Sequence, residues 1–245
     1  MNSFLIALQF ITTLPIKTKL NYSEKNIASS MIYYPLVGTI IGFILVVLNF
    51  LLSKMIPDLV VNIILLIIWI ALSGGIHLDG LADSFDGLFG GKDKKRILEI
   101  MQDSSIGVYG VLALVLTLLL KYVLLIELPI QDKNMILMIA PTLSRLSMVL
   151  AVHYFPYAKK EGFGKSYKLY LKRKHVLFAF FWTIIISITL LFWQSIILII
   201  IGLLFTFVIS KFITKKIDGL TGDNYGAINE IIEIITLLTA ILLFY

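Results

Sequence analysis

Residues 58–91 read DLVVNIILLIIWIALSGGIHLDGLADSFDGLFGG, an apolar run that passes directly into a segment rich in Asp and Gly. A helix needs about 20 consecutive apolar residues to cross a bilayer. Residues 58–76 come close to that length and carry one charged residue, Asp58. The stretch therefore predicts a transmembrane helix whose end carries an acidic, glycine-rich segment to the membrane surface.

Six further apolar runs of similar length surround this stretch. The seven candidate spans lie at 30–53, 58–76, 105–126, 134–153, 176–193, 195–213 and 228–245. Hydrophobic residues make up 59% of the 245 residues and charged residues only 15%, whereas a soluble domain has about 25% charged residues. These figures predict an all-α, polytopic integral membrane helical bundle with about seven transmembrane helices, formed as a single domain over 1–245.

The composition also excludes several classes of protein. So apolar a chain is neither disordered nor a soluble nucleic-acid binder, and its expected partner is the lipid bilayer. The sequence has no Cys, which excludes thiolate catalysis, Cys-type zinc sites and iron–sulfur clusters.

The distribution of basic residues predicts the orientation in the membrane. If the N-terminus lies inside, the inner segments carry 17 of the 21 Lys and Arg residues. Such an asymmetry is typical of cytoplasmic loops, so we expect a multi-pass protein of the cytoplasmic membrane with its acidic segment facing the cytoplasm. The apolar stretch Phe4–Leu14 is too short to span and ends at Pro15, which favours a short interfacial helix.

Three carboxylates of the acidic segment follow a helical spacing. Asp79, Asp83 and Asp86 lie at i, i+4 and i+7, which places them on one face of a helix. Adjacent carboxylates repel one another unless a cation holds them together, and oxygen ligands without Cys suit Mg²⁺ or Mn²⁺. We therefore favour a metal site over a solvated acidic loop. Asp103, just before the span at 105–126, is a further candidate ligand, although it could equally be the N-cap of that span.

A second polar group lies in and beside two other spans. Asp223, Glu230 and Glu233 open the last span, and Arg145 lies inside the span at 134–153. Ionised groups at such depth are expensive and are usually functional. Arg145 could bind a phosphate, or it could pair with a glutamate as a structural bridge. His77, next to the acidic segment, could ligate a metal, orient a substrate or donate a proton, or it could be a plain interfacial residue.

The remaining intramembrane charge is Lys121, in the span at 105–126. We expect this side chain to extend outward to the interface. The acidic motifs all fall on the predicted inner side, beside the intramembrane Arg145. This arrangement points to a site for Mg²⁺ and a diphosphate, with displacement at phosphorus as the chemistry.

The motifs resemble those of the cobalamin synthase (adenosylcobinamide-GDP ribazoletransferase) family. The block Gly-Gly-Ile-His-Leu-Asp-Gly-Leu-Ala-Asp at 74–83 is the most specific part of this resemblance. Further similar blocks lie, in the same order along the whole chain, at 8–15, 100–107, 144–145, 157–164 and 221–233.

The resemblance implies a membrane-embedded, Mg²⁺-dependent enzyme of vitamin B12 assembly. Such an enzyme transfers the phosphocobinamide part of adenosylcobinamide-GDP to α-ribazole or α-ribazole 5′-phosphate and releases GMP. The resemblance also leaves open whether the protein forms a homo-oligomer or associates with other enzymes of B12 assembly.

The same resemblance implies roles for individual residues. Asp79, Asp83 and Asp86 would hold Mg²⁺ on the diphosphate, with Asp86 as a candidate general base. Contacts to metal or substrate would be completed by Asp103, Asp223, Glu230 and Glu233. Contacts to phosphate would come from Arg145 and Lys159, and His77 would contact the substrate.

The chain departs from the family pattern at four positions. Ser105 stands where the family has Arg, and Gln102 stands where a basic residue is usual. Lys159 replaces an Arg, and Asp218 replaces a Gly. None of these departures touches Asp79 or the two aspartates that follow it.

Two other classes of function remain open from the residues. A CDP-alcohol phosphatidyltransferase or a UbiA-type prenyltransferase also combines Asp-rich motifs, Mg²⁺ and a diphosphate. The phosphatidyltransferase motif requires an Ala-Arg pair after its Asp-Gly pair, whereas this sequence has Ala82-Asp83 at that place. A cation transporter would place its carboxylates at the bilayer midplane.

Overall fold

The computed structural model describes residues 2–159 and 163–244, and all regular secondary structure in this part of the chain is helical. Residues 160–162, which belong to the motif at 157–164, lie outside the described residues. The helices are α1 (Asn2–Ile11), α2 (Glu24–Ser30), α3 (Tyr34–Leu52), α4 (Asp58–Ser73), α5 (Ile76–Gly90), α6 (Lys94–Ile100), α7 (Val108–Glu127), α8 (Ile130–Tyr154), α9 (Phe163–Tyr170), α10 (Arg173–Leu191), α11 (Gln194–Ile217) and α12 (Gly222–Phe244).

The predicted all-α membrane bundle is confirmed. Six of the described helical segments are long and apolar enough to cross a membrane, and α4 with α5 forms a seventh, bent candidate. The two helices of this pair meet at 86°. The bend lies at Gly74 and Gly75, which both adopt left-handed backbone conformations with φ of 65° and 71°. Only glycine adopts two such conformations in succession at little cost. The two glycines therefore turn the chain sharply between α4 and α5.

The helix α8 is the centre of the bundle. Of its most apolar 18-residue window 89% is buried, and α3, α10, α11 and α12 pack around it. At Gly42 the lack of a side chain brings α3 close to α8, since a Cβ there would lie 2.5 Å from the Cα of Met138. The polar residues that weaken this span in the sequence, such as Ser144 and Arg145, therefore face other helices and not lipid.

The N-terminal segment forms the short helix expected from its length. In α1 the side chains of Ile6 and Ile11 are buried, and the helix packs on α2 and α3. Beyond it, the backbone N–H of Thr13 donates to the carbonyl of Leu72 at 2.9 Å. This bond ties the N-terminal segment to the end of α4, next to the bend that starts α5.

The predicted inner segments come together at one end of the bundle. The segment after α8 pairs with the turn before α12, because Leu220 N–H donates to Pro156 and Ala158 N–H donates to Leu220. The turn is also held from α6, since Lys94 forms an ion pair with Asp218 at 3.0 Å. These contacts bring the segment after α8, the turn before α12 and the start of α6 together at this end.

Candidate active site at the crossing of two helices

The helices α5 and α12 cross in close contact where both carry glycine. A Cβ at Gly80 would lie 2.6 Å from the backbone oxygen of Asp223, and a Cβ at Gly226 would lie 3.1 Å from the Cα of His77. Both distances are shorter than an ordinary contact, so the crossing depends on the missing side chains. The two separate acidic motifs of the sequence therefore meet in space.

Three carboxylates gather at this crossing. Asp79 is exposed, and Asp83 and Asp223 are half-buried. Partial burial and the like charges of Asp79, Asp223 and Asp86 raise the pKa of Asp83 to about 6, against a smaller opposing effect of Lys159. The repulsion predicted from the spacing is therefore present. A hard cation placed among these oxygens would relieve it.

One basic side chain reaches this acidic group. The Nζ of Lys159 lies 3.5 Å from Asp223 Oδ2, and the same oxygen accepts a hydrogen bond from Thr221 Oγ1 at 3.1 Å. Lys159 owes this position to the pairing of its segment with the turn at Leu220. Its ammonium group therefore lies beside the carboxylates, and its contact with a substrate phosphate, which the family resemblance implies, stays a prediction.

Asp86 differs from the other two aspartates of α5 in its contacts. Its carboxylate is buried and accepts the backbone N–H groups of Gly107 and Gly110 at 2.7 and 2.8 Å. These groups belong to the start of α7, where an anion is favoured by the helix dipole. Asp86 thus anchors α7 to α5, which gives it a structural role that the sequence pattern did not suggest.

Asp103 lies apart from the crossing. Its Oδ1 accepts from the backbone N–H and the hydroxyl of Ser105, and these two bonds hold the pKa of Asp103 below its usual value. The residue at the start of α7 is Gly107, so Asp103 is not the N-cap of this helix, and that alternative is wrong. Asp103 and Asp86 line a separate hollow of about 340 Å³.

The predicted metal ligands are therefore divided between two places. Asp79 and Asp83 join Asp223 at the crossing, whereas Asp86 and Asp103 line the hollow beside α7. Within residues 2–159 and 163–244, no three His, Asp or Glu side chains are close enough to hold a metal ion by themselves. The donor set at the crossing nevertheless fits Mg²⁺, which usually takes one or two carboxylates and completes its shell with water and substrate phosphates.

Four charged side chains form a buried network inside the bundle. Lys121 of α7 pairs with both Glu230 and Glu233 of α12, and Arg145 of α8 pairs with Glu233. All four side chains are at most 5% exposed. The expectation that Lys121 extends outward is wrong, because the two glutamates compensate its charge inside the protein. A charge within an apolar run usually indicates a functional residue. The sequence analysis did not interpret Lys121 in this way.

The network lies within the candidate membrane spans α7, α8 and α12 and is electrically balanced. Arg145 lies nine residues before the end of α8, which is about 14 Å along a helix axis. Two positive charges match two negative charges there. In this structure Arg145 therefore pairs with a glutamate as a structural bridge, which is one of the two alternatives from the sequence. Its contact with phosphate stays a prediction.

A cavity of about 580 Å³ opens beside the carboxylates. Its wall includes Asp79, Lys159 and Asp223 at one end and mostly apolar and aromatic side chains elsewhere. His77 also lines it, and this side chain is 2% exposed. Its Nε2 has no hydrogen-bond partner among the described residues. The cavity therefore offers space for an organic ligand next to the acidic site.

The sequence analysis missed the aromatic residues of this wall. Tyr34 precedes Pro35 in an apolar span, and Tyr225 lies between the polar residues of the last motif. An aromatic residue in an apolar membrane chain carries no distinguishing signal. Their shared position depends on how α3 and α12 each pack against α8.

Comparison with known proteins gives matches over nearly the whole chain. The family model described as cobalamin-5-phosphate synthase matches residues 3–241. A protein of Clostridium tetani named adenosylcobinamide-GDP ribazoletransferase is 35% identical over 245 residues, which cover 99% of this chain and 97% of the relative. A protein of the same name from Desulfitobacterium hafniense is 37% identical over 250 residues, covering 100% and 98% of the two chains. No solved structure matches.

Proposed function

Since the chain belongs to the cobalamin-5-phosphate synthase family and is thus an enzyme of cobalamin biosynthesis, we propose that it joins adenosylcobinamide-GDP to α-ribazole or to α-ribazole 5′-phosphate. The product is adenosylcobalamin or its 5′-phosphate, and the leaving group is GMP. The observation that carries this proposal is the meeting of Asp79, Asp83 and Asp223 at the α5–α12 crossing, beside Lys159 and an organic-ligand cavity.

The proposed reaction is a displacement at phosphorus. A free ribose hydroxyl of the acceptor, which is not the 5′-hydroxyl because that position carries the phosphate of α-ribazole 5′-phosphate, forms a bond to the phosphorus that carries cobinamide. The bond from this phosphorus to the bridging oxygen of the diphosphate breaks, and GMP leaves with that oxygen. The proton of the hydroxyl passes to a carboxylate of the site. Phosphoryl transfer of this kind depends mainly on positioning and on neutralising charge.

The residues at the crossing would perform both tasks. We propose that one or two of the carboxylates of Asp79, Asp83 and Asp223 hold Mg²⁺, which supplies positive charge to the diphosphate oxygens when it is bound. Lys159, which lies beside Asp223, would contact a phosphate of the substrate. Asp86 is less suited to the role of general base, because both of its carboxylate oxygens already accept backbone N–H groups of the segment that starts α7.

The deep network has a different proposed role. Glu230, Glu233 and Arg145 are buried and satisfied by one another and by Lys121. We propose that these residues fix the positions of α7, α8 and α12 relative to one another below the site. The family resemblance implies that they contact the substrate, whereas in this proposal they affect it indirectly, through the positions of the helices. A cation transporter would need an uncompensated carboxylate at this depth, and two cations balance the two glutamates there.

The orientation is also a proposal. The acidic crossing lies at the end of the bundle formed by the segments with 17 of the 21 basic residues. By the positive-inside rule this end faces the cytoplasm. We propose that the protein is a multi-pass component of the cytoplasmic membrane with its site open to cytoplasmic substrates.

The test is an assay of the purified protein in detergent or liposomes. It receives adenosylcobinamide-GDP, α-ribazole and Mg²⁺, and GMP and the cobalamin product are measured together. We expect equal amounts of both products, a loss of both with EDTA and recovery with added Mg²⁺. Folded protein that forms neither product with α-ribazole or its 5′-phosphate would contradict the proposal. Turnover that is insensitive to chelation would contradict the role of Mg²⁺ alone.

A further inference from the structure

The turn that starts α12 is closed by two reciprocal hydrogen bonds. The backbone N–H of Asn224 donates to Thr221 Oγ1 at 3.3 Å, and Asn224 Oδ1 accepts from the backbone N–H of Thr221 at 2.9 Å. Thr221 directly precedes Gly222, the first residue of the helix. The pair therefore has the form of a capping box, with Asn in the place of the usual Glu or Gln. Both residues are fully buried, and Asp223 lies between them in the chain.

The hydroxyl of Thr221 also orients the carboxylate of Asp223. A hydroxyl has one hydrogen to donate, and two acceptors are within reach, Asp223 Oδ2 at 3.1 Å and Asn224 Oδ1 at 3.2 Å. The amide oxygen already accepts from the backbone N–H of Thr221, and a hydrogen bond to an ionised acceptor is the stronger one. The hydroxyl hydrogen is therefore directed at Asp223.

The amide of the same capping box also contacts the neighbouring helix. Asn224 Nδ2 donates to Ser84 Oγ of α5 at 2.9 Å, and Ser84 is buried as well. Asp83 directly precedes Ser84 in the chain, and Asp223 directly precedes Asn224. One buried hydrogen bond thus joins the residues that follow two of the three carboxylates, where α5 and α12 cross. If this bond is lost, a buried donor stays unpaired.

On the basis of the proposed function, we infer that Asn224 and Ser84 are positioning residues of the Mg²⁺ site and that Thr221 orients Asp223 within it. The carboxylates repel one another, and these three side chains hold the backbone of Asp223 beside that of Asp83 against this repulsion. The three residues are not part of the wall of the cavity of about 580 Å³. They therefore act through the two aspartates and not by contact with the substrate.

The first test removes the hydrogen-bond acceptor on α5. Ser84→Ala deletes one hydroxyl and introduces a good helix former. The matched control is Ser187→Ala, because Ser187 is a buried serine of α10 whose hydroxyl has no hydrogen-bond partner among the described residues. The probe is Mn²⁺, which accepts the same oxygen ligands, titrated in neutral detergent by electron paramagnetic resonance.

Loss of a residue that orients a metal ligand typically lowers metal affinity by about 10–100-fold. We therefore expect the Kd of Mn²⁺ to rise by about tenfold or more in Ser84→Ala and to stay unchanged in Ser187→Ala. Equal Kd values in Ser84→Ala and the wild-type protein would overturn the positioning role of the bond between α5 and α12.

The second test replaces the hydroxyl that orients Asp223. Thr221→Val has nearly the same shape but cannot donate, whereas Thr221→Ser keeps the hydroxyl. We expect the Mg²⁺ concentration for half-maximal turnover to rise about tenfold in Thr221→Val and to return toward the wild-type value in Thr221→Ser. The KM for α-ribazole should be the same in both. A purely structural role would lower the unfolding temperature of Thr221→Val and leave the Mg²⁺ dependence unchanged, which would overturn the inference.

The Mn²⁺ titration needs no turnover and therefore separates this inference from the proposed function. Weaker Mn²⁺ binding in Ser84→Ala, in a protein that releases no GMP, would contradict the proposed reaction and support the positioning role. Release of GMP with unchanged Mn²⁺ binding in Ser84→Ala and unchanged Mg²⁺ dependence in Thr221→Val would support the reaction and contradict the positioning role.

Discussion

Replacing Gly80 by alanine should impair the enzyme because it forces α5 and α12 apart. The added Cβ would lie 2.6 Å from the backbone oxygen of Asp223 and 3.0 Å from its Cα. Ordinary contacts begin at 3.4 Å, so the helices must separate by about 0.8 Å at the crossing. Backbone atoms cannot move aside as a flexible side chain can. The displacement therefore acts directly on the distance between Asp83 and Asp223.

Overpacking and helix propensity act in opposite directions on the stability of Gly80→Ala, and the displacement of the helices acts on its activity. Overpacking costs about 1–3 kcal/mol, and the better helix propensity of alanine offsets about 1 kcal/mol of this. The net loss of stability for Gly80→Ala is then at most about 2 kcal/mol, so the protein should still fold. A misplacement of this size at a reacting centre costs about 100-fold in rate, and we expect that reduction in kcat/KM.

The measurement pairs GMP release with thermal unfolding in the same detergent, and Gly90→Ala is the control. Gly90 lies in the same helix, but its Cβ would meet nothing closer than 3.7 Å. This variant should keep its activity and gain up to about 1 kcal/mol from helix propensity. Wild-type kcat/KM in Gly80→Ala would refute the argument that the close crossing positions the site.

Three further predictions concern the network, the start of α7 and the metal. Lys121→Met leaves Glu230 and Glu233 with one cation between them and should destabilise the protein by about 3–5 kcal/mol. Adding Glu230→Gln should recover part of this loss, as measured by thermal unfolding. An unchanged unfolding midpoint in Lys121→Met would contradict the burial of the network. Asp86→Asn replaces a charged acceptor at the start of α7 and should cost about 1–2 kcal/mol, seen as faster hydrogen exchange at that helix, whereas unaltered exchange would show that the bonds do not stabilise it. Activity should disappear with EDTA and return with Mg²⁺ but not with Na⁺, and recovery with Na⁺ would argue against a divalent cation.

Much of the fold follows from local sequence patterns. The apolar runs predict the crossing helices because the bilayer imposes their length and composition. The exception is instructive: the span at 134–153 has the weakest apolar pattern and forms α8, the most buried helix of the bundle. Its Ser144 and Arg145 are tolerated because they face protein groups, and a single span cannot reveal which of its sides will be covered.

The candidate site was predicted only in part, since helix spacing describes one helix at a time. The i, i+4, i+7 pattern correctly predicts Asp79 and Asp83 on one helix, but it cannot show that Asp86 contacts the backbone of α7. Likewise, Lys121 is about a hundred residues from its partners Glu230 and Glu233, and their pairing depends on how α7 and α12 pack. Contacts between distant segments are therefore what the structure adds.

The most direct test of the central claim compares two aspartates of the predicted inner face. Asp83→Asn removes a carboxylate from the α5–α12 crossing, and Asp93→Asn changes the exposed N-cap of α6, where an amide oxygen can still accept from Arg96 N–H. Both variants should fold and bind α-ribazole. The account predicts that Asp83→Asn forms no GMP or cobalamin from adenosylcobinamide-GDP while Asp93→Asn keeps wild-type turnover. Near-normal turnover by Asp83→Asn would contradict the placement of the reaction at this crossing.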